Sequence, residues 1–174
     1  MELTSAELTV LGLIVEQPRH GYDLEQVIEH RGIRQWTAIG FSSIYYLLAK
    51  LEKRGLVGPT EGRSGAKSRR VFQATDEGRR VATDSALAFL ADLRMVPHPI
   101  LVGLANLALL SERDYDEALR SRLVQVDARI TEVVNAQQSQ TPLPRPAREV
   151  FSYALSLLEA ERAWLAARVQ VCDA

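Results

Sequence analysis

The chain has 174 residues, a length that suits one domain or a small domain with an accessory helical module. Its apolar fraction of 47% excludes disorder over the whole chain, and its single cysteine excludes an internal disulfide. The weakly charged stretch over 95–110 is too short and too interrupted to span a bilayer, and the start of the chain lacks the pattern of a secretory signal. We therefore expect a cytoplasmic protein with no membrane partner.

The net charge of −1 conceals a basic segment in the middle of the chain. Residues 31–81 hold eleven basic and four acidic side chains, a net charge of +7, whereas 1–30 carry −5 and 82–174 carry −3. A local charge of this size indicates an anionic partner, although a solvated surface with no partner has the same composition. The elements inside the basic segment therefore decide between the two interpretations.

The first elements predicted in chain order are three helices. Thr4 and Glu7 form the capping box that opens the first helix, and a breaker over 17–21 separates it from a short second helix. The third helix is predicted over 41–54 and ends at Gly55 in the C′ position. Isoleucine and leucine occupy one face of this helix, so we expect that face to pack on a core. The opposite face and its flanks carry Ser42, Tyr45, Tyr46, Ala49, Lys50 and Lys53.

A hairpin follows the third helix. We predict strands over 56–61 and 69–74, joined by a basic, glycine-rich turn over 62–68. Pro59 lacks a backbone donor and places the first strand at an edge. A hairpin of two strands is barely stable alone, so helices must cover it. Three helices followed by such a hairpin have the order of a winged helix-turn-helix.

The second half of the chain is predicted to be helical. Thr75 caps a fourth helix that runs to about residue 94, and the apolar stretch 100–110 is expected to form a buried helix. Ser111 caps a long helix, and a polar linker over 137–146 separates it from a last helix that Pro146 opens. The long helix carries a heptad-like seam of Leu119, Leu123, Val126, Ile130 and Val133.

These elements predict a mainly α fold with a small two-stranded β-wing. We assign 1–80 to a winged helix-turn-helix DNA-binding domain and 81–174 to a helical dimerisation region that could also bind an effector. Three aromatic residues of the last helix, Phe151, Tyr153 and Trp164, are more simply explained by dimer packing than by a small-molecule site.

The predicted elements are suited to double-stranded DNA. A helix that anchors one face in its own domain can place the other in the major groove, which is about 12 Å wide. Cations on a thin glycine-rich tip suit the minor groove or the flanking phosphates. The residues predicted from these elements to contact DNA are Ser42, Ser43, Tyr45, Tyr46, Lys50, Lys53, Arg63, Lys67, Arg69 and Arg70.

These DNA contacts have alternatives. Tyr45 and Tyr46 can be packing residues, and Arg69 and Arg70 can lie on the exposed face of an edge strand. The basic tip can equally serve to prevent edge-to-edge pairing of strands. Winged helices also act as protein–protein adaptors, and an adaptor that does not bind DNA is the alternative function.

Three stretches of the chain resemble the PadR family of bacterial transcriptional regulators. They are His-Gly-Tyr-Asp-Leu at 20–24, the run from Ser43 to Val57, and the run from Arg69 to Gly78. The resemblance covers about the first 80 residues, and the helical remainder is similar in length to that of the longer subfamily. It implies a homodimer that binds an inverted-repeat operator, usually as a repressor, with the C-terminal helices forming the dimer.

The resemblance also implies roles for particular residues. It implies that Tyr22, Ser43 and Tyr45 lie close to DNA phosphates, and that a small aromatic ligand releases DNA from some members. An effector of this class would lodge near Trp36 or Trp164 by the same analogy. This chain has Ser42 where the family often has glycine, and a tyrosine at 46 where it often has proline or a small residue. No operator sequence can therefore be transferred from relatives.

An enzyme has little support in the sequence. His20, His30 and His98 are scattered and form no metal-binding pair, and no glycine-rich phosphate loop follows a strand. Cys172 lies two residues from the end of the chain, an unsuitable place for a nucleophile. We expect no catalytic activity, no metal and no cofactor.

Overall fold

The chain divides into two compact units, Met1–Met95 and Val96–Ala174, in a computed structural model. The structure describes residues 2–35, 37, 39–40, 43–60, 70–93, 95–140 and 142–172. None of the helices in these ranges combines the length and apolarity needed to cross a membrane.

The N-terminal unit alternates helices with short strands. Its elements in chain order are α1 (Ser5–Glu16), β1 (Arg19–His20), α2 (Gly21–His30), a 3-10 turn (Ile33–Gln35), α3 (Ser43–Lys53), β2 (Val57–Pro59), β3 (Val71–Ala74) and α4 (Asp76–Ala91). The three predicted helices and the antiparallel strand pair after them are confirmed. The mainly helical fold class is confirmed with them.

The sheet has one strand more than predicted. β3 lies in the centre and pairs antiparallel with β2 on one side and with β1 on the other. Arg19 lies opposite Phe72, and Val57 lies opposite Ala74. The prediction of a two-stranded sheet preceded by a simple breaker over 17–21 is therefore wrong in this respect. A strand of two residues is too short to leave an alternating pattern in the sequence.

An apolar core holds α3 in place. The predicted inner face of this helix is buried, and it packs with α1, α2 and the sheet in one cluster. Burying each leucine or isoleucine contributes about 1.5–3 kcal/mol, so the inner face anchors α3 strongly. The core side chains on α3 are Ile44, Leu47, Leu48 and Leu51.

The ends of the helices follow the predicted signals. The Thr4 hydroxyl accepts the Glu7 N–H at 3.2 Å, and the Glu7 carboxylate accepts the Thr4 N–H at 2.8 Å. Gly55 ends α3 with φ of 71°, a left-handed conformation that favours glycine. The Thr75 hydroxyl accepts the N–H of Gly78 at 2.9 Å at the start of α4.

α4 belongs to the N-terminal unit because Val81 and Ala82 lie in its core. The compact units consequently divide after Met95. The functional division at residue 80 stays a prediction.

The C-terminal unit is entirely helical in its described part. It contains α5 (Pro99–Ala105), a 3-10 turn (Leu107–Leu109), α6 (Glu112–Ser139) and α7 (Arg145–Cys172). Ser111 caps α6 as predicted, and its hydroxyl accepts the Asp114 N–H at 3.2 Å. α6 and α7 pack against each other around Leu119, Val126 and Leu165.

Two predictions for this unit are wrong. The stretch 100–110 is not a buried helix in the single chain, because it forms α5 and a 3-10 turn with Leu101 and Val102 largely exposed. The polar linker over 137–146 is shorter than predicted, since α6 continues to Ser139 and α7 already begins at Arg145. Apolar composition does not reveal what covers a segment, and glutamine-rich sequence is compatible with helix.

Candidate nucleic-acid interface

The outer face of α3 is exposed and carries the predicted hydroxyl and ammonium groups. Tyr46 is 66% exposed, and the side chains of Lys50 and Lys53 also reach solvent. The spacing of these three residues places them on one side of an eleven-residue helix about 16 Å long. This side lies opposite the buried Ile44 and Leu48, so α3 is anchored on one face and available on the other.

Tyr45 combines the two roles that its sequence position left open. A Cβ atom at Gly21 would lie 2.7 Å from Cε1 of the Tyr45 ring, which is too close for any other residue there without a shift. The ring therefore packs on the first turn of α2, while the residue remains 51% exposed. Sequence reasoning missed the role of Gly21, although the glycine of the His-Gly-Tyr motif was the signal for it.

Two further hydroxyl groups lie at the starts of α2 and α3. The exposed Tyr22 accepts a hydrogen bond from Nε2 of Gln26 at 3.2 Å, which leaves its phenolic proton available for donation. The Ser43 hydroxyl donates to the Gly40 carbonyl at 2.6 Å, so its proton is used within the chain.

A buried carboxylate lies beneath the outer face of α3. Glu7 is only 1% exposed, and its Oε1 lies 3.0 Å from Nζ of Lys50 and 3.0 Å from Nη1 of Arg54. Burial by itself raises the pKa of Glu7, but hydrogen bonds from the Thr4 backbone and from Lys50 outweigh burial and lower the pKa from 4.5 to about 2. Sequence reasoning identified Glu7 only as a capping residue and missed its ion pairs.

The other described cations near α3 differ in their partners. Lys53 forms no ion pair with any residue that the structure describes. Arg70 does, because its Nη2 lies 2.6 Å from Oε1 of Glu52 and its guanidinium lies 5.3 Å from the centre of the Phe72 ring. Arg70 therefore joins β3 to α3.

A second arginine, which the sequence did not single out, fixes the segment that leads into α3. The Arg34 guanidinium donates to Glu25 at 2.7 Å and to Glu29 at 2.8 Å, both on α2. Its Nε donates to the Ile39 carbonyl at 3.1 Å. Arg34 thereby links α2 to the connector before α3, and it helps to set where the outer face of α3 lies.

Some predicted site residues lie outside the described part of the chain. They are Trp36, Ser42, Arg63, Lys67 and Arg69. Of the predicted DNA contacts, the structure describes Tyr22, Ser43, Tyr45, Tyr46, Lys50, Lys53 and Arg70.

The aromatic residues of α7 differ in their exposure. Tyr153 is largely exposed, while Phe151 and Trp164 are half-buried. Trp164 packs against the α6–α7 core, and the Arg168 guanidinium lies 3.6 Å from the centre of its ring. No group of three or more metal-ligating side chains occurs among the described residues.

The comparisons with known proteins agree on the fold. Residues 10–84 match the model of the transcriptional regulator PadR-like family. Bacillus subtilis PadR in complex with operator DNA is similar at 18% identity and a TM-score of 0.75, over 97% of this chain and 99% of that one. The same protein in complex with p-coumaric acid gives 17% identity and a TM-score of 0.77, over 97% and 98%.

A third similar structure is the virulence activator AphA of Vibrio cholerae. It gives 15% identity and a TM-score of 0.72, over 97% of this chain and 98% of that one. No curated protein sequence gives a match. At such identities the likeness establishes the fold, and the family match at 10–84 confirms the resemblance found in the N-terminal motifs.

Proposed function

We propose that this chain, whose residues 10–84 match the model of the transcriptional regulator PadR-like family, represses transcription by binding an inverted-repeat operator as a homodimer in the cytoplasm. The observation that carries the proposal is the two-sided α3. One face is sealed into the core, and the other presents Tyr46 and Lys53 to solvent. An α-helix with its side chains is about 10–12 Å wide and fits the major groove.

The proposed contacts fall into two kinds. Tyr46 lies on the outer face of α3, where a side chain can reach base edges, and it would contribute to sequence preference. Tyr22, Tyr45 and Lys53 would contact phosphates and fix the position of the domain on the duplex. Arg63 and Lys67 of the wing would add affinity for DNA of any sequence by the same electrostatic means.

Exposed apolar side chains in the C-terminal unit support the homodimer. The seam of α6 is already occupied by α7, so a second copy must use other surfaces. Val150, Tyr153 and Leu157 are exposed at i, i+3 and i+7 along α7, which is one stripe of the helix. A second copy that covers this stripe would bring two α3 helices into one dimer, and helices that read the same side of the duplex need half-sites about one helical turn, or a multiple of one turn, apart.

We also propose that a small aromatic ligand acts as an effector that releases the protein from DNA. The similar Bacillus subtilis PadR has a structure with p-coumaric acid. In this chain the candidates to receive a ring are Trp36, Phe151, Tyr153 and Trp164. In one state of the dimer the spacing of the two α3 helices matches the operator, and in another state it does not. The ligand releases DNA only if it binds the mismatched state more tightly than the matched state.

Selection of bound duplexes from a random pool tests the proposed function. We expect enrichment of a palindrome whose half-sites are centred about one helical turn, or a multiple of one turn, apart. The variant Tyr46→Ala, run in parallel, should enrich the same spacing with a weaker base preference. If the folded wild-type protein enriches no duplex and shows no salt-dependent binding to DNA, the proposal is refuted, and a protein–protein adaptor is favoured instead.

A further inference from the structure

We propose that Glu7 is a positioning residue that clamps the C-terminal half of α3 to α1 through Lys50 and Arg54, and that Lys53 alone of the two outer-face lysines binds a DNA phosphate. The second half of this inference rests on the proposed function, whereas the clamp itself does not. Both lysines belong to the same short helix and carry the same charge, so only their surroundings distinguish them.

The geometry of the clamp accounts for both carboxylate oxygens of Glu7. Lys50 and Arg54, one helical turn apart on α3, both approach Oε1 at 3.0 Å. The Thr4 N–H donates to Oε2 at 2.8 Å. A buried carboxylate is tolerated only when its charge is paired and its oxygens accept hydrogen bonds, and here both conditions are met.

The ion pair with buried Glu7 favours the position of Lys50 beside that carboxylate over a position beside a phosphate. To reach a phosphate, its ammonium group would have to leave a carboxylate whose side chain is 2% exposed, and Arg54 alone would then compensate the buried charge. The affinity gained from a Lys50–phosphate contact would therefore be reduced by the cost of breaking the pair with the buried carboxylate, a cost that Lys53 does not have. Lys53 is exposed and has no ion pair to break within the described residues.

The matched variants Lys50→Met and Lys53→Met separate the two roles. Each removes one positive charge from the outer face of α3 and keeps an unbranched side chain. For Lys53→Met we expect an unchanged urea midpoint and a salt slope, log K against log salt concentration, that is shallower by about 0.9 for each phosphate that is no longer neutralised. For Lys50→Met we expect a lower urea midpoint and a salt slope equal to that of the wild type. The reverse pattern would overturn the inference.

A double-mutant cycle tests the clamp without DNA. Lys50→Met should lower the urea midpoint clearly in the wild-type chain and much less in a chain that already carries Glu7→Gln, because the partner is then gone. Equal effects in the two backgrounds would overturn the clamp. Circular dichroism of each variant establishes that it folds. If the wild type shows no salt-dependent DNA binding, the proposed function fails. The double-mutant cycle needs no DNA, so it still tests whether Glu7 and Lys50 interact.

Discussion

Replacing Glu7 by glutamine is the most informative change to the stability of this chain. The substitution keeps the size and the capping geometry of the side chain but removes the charge that Lys50 and Arg54 share. Because the carboxylate is almost completely buried, solvent screens these interactions weakly. The charged form of Glu7 is therefore stabilised in the folded chain relative to the unfolded chain.

The size of the effect follows from the pKa. A fall from 4.5 to about 2 in the folded chain corresponds to about 3 kcal/mol at about 1.4 kcal/mol per unit. Since the folded pKa is depressed, this stabilisation is fully present above the unfolded pKa of 4.5 and is lost as the pH falls towards 2. About half of it should remain at pH 3. The value agrees in size with the cost of breaking a buried ion pair, about 3–5 kcal/mol.

Urea denaturation of the wild type and Glu7→Gln at pH 7, 5, 4 and 3 measures this difference. We expect the free energy of unfolding of the wild type to exceed that of Glu7→Gln by about 3 kcal/mol at pH 7. This difference should stay the same down to about pH 5.5 and should decline steadily below about pH 4.5. Glu159→Gln is the control, because Glu159 is exposed and forms no ion pair with a described residue; it should change the free energy of unfolding by less than about 0.5 kcal/mol. A Glu7→Gln difference that is equally large at pH 3 and pH 7 would refute the reasoning.

Four other substitutions test separate predictions. Gly78→Ala should lower the free energy of unfolding by about 3 kcal/mol in urea denaturation, because the new Cβ would lie 1.9 Å from the Leu56 carbonyl oxygen. An unchanged free energy of unfolding would contradict that close approach. Tyr46→Ala should leave the urea midpoint unchanged and reduce the preference for operator over random duplex by about 1–3 kcal/mol in competition binding. Lys67→Ala and Arg63→Ala should weaken binding to both duplexes alike and make the salt slope shallower by about 1 each, and a selective loss on the operator would contradict this.

The features that could be predicted from sequence are the local ones. The capping box, the end of α3 at Gly55 and the buried face of that helix depend on residues only three or four positions apart. Such neighbours meet in any helix, so their pattern survives in the sequence. The N-terminal family resemblance extends over the same local motifs.

The features that could not be predicted depend on interactions between distant parts of the chain. Arg54 reaches Glu7 across 47 positions, and β1 is a strand only because β3 lies beside it. Composition also failed to show that 100–110 is exposed in one chain, since burial depends on what packs against a segment. For the same reason, both lysines of α3 were predicted to contact DNA, and only the structure distinguishes their surroundings.

Because α7 covers the seam of α6 within one polypeptide, that seam does not require a second copy. Under the proposed function, subunit association through other surfaces would be an equilibrium that depends on concentration. Where that equilibrium is weak, the concentration of paired subunits grows with the square of total protein, so a twofold rise in expression gives up to about a fourfold rise in paired protein. Transcriptional response would thus have a threshold set by protein abundance.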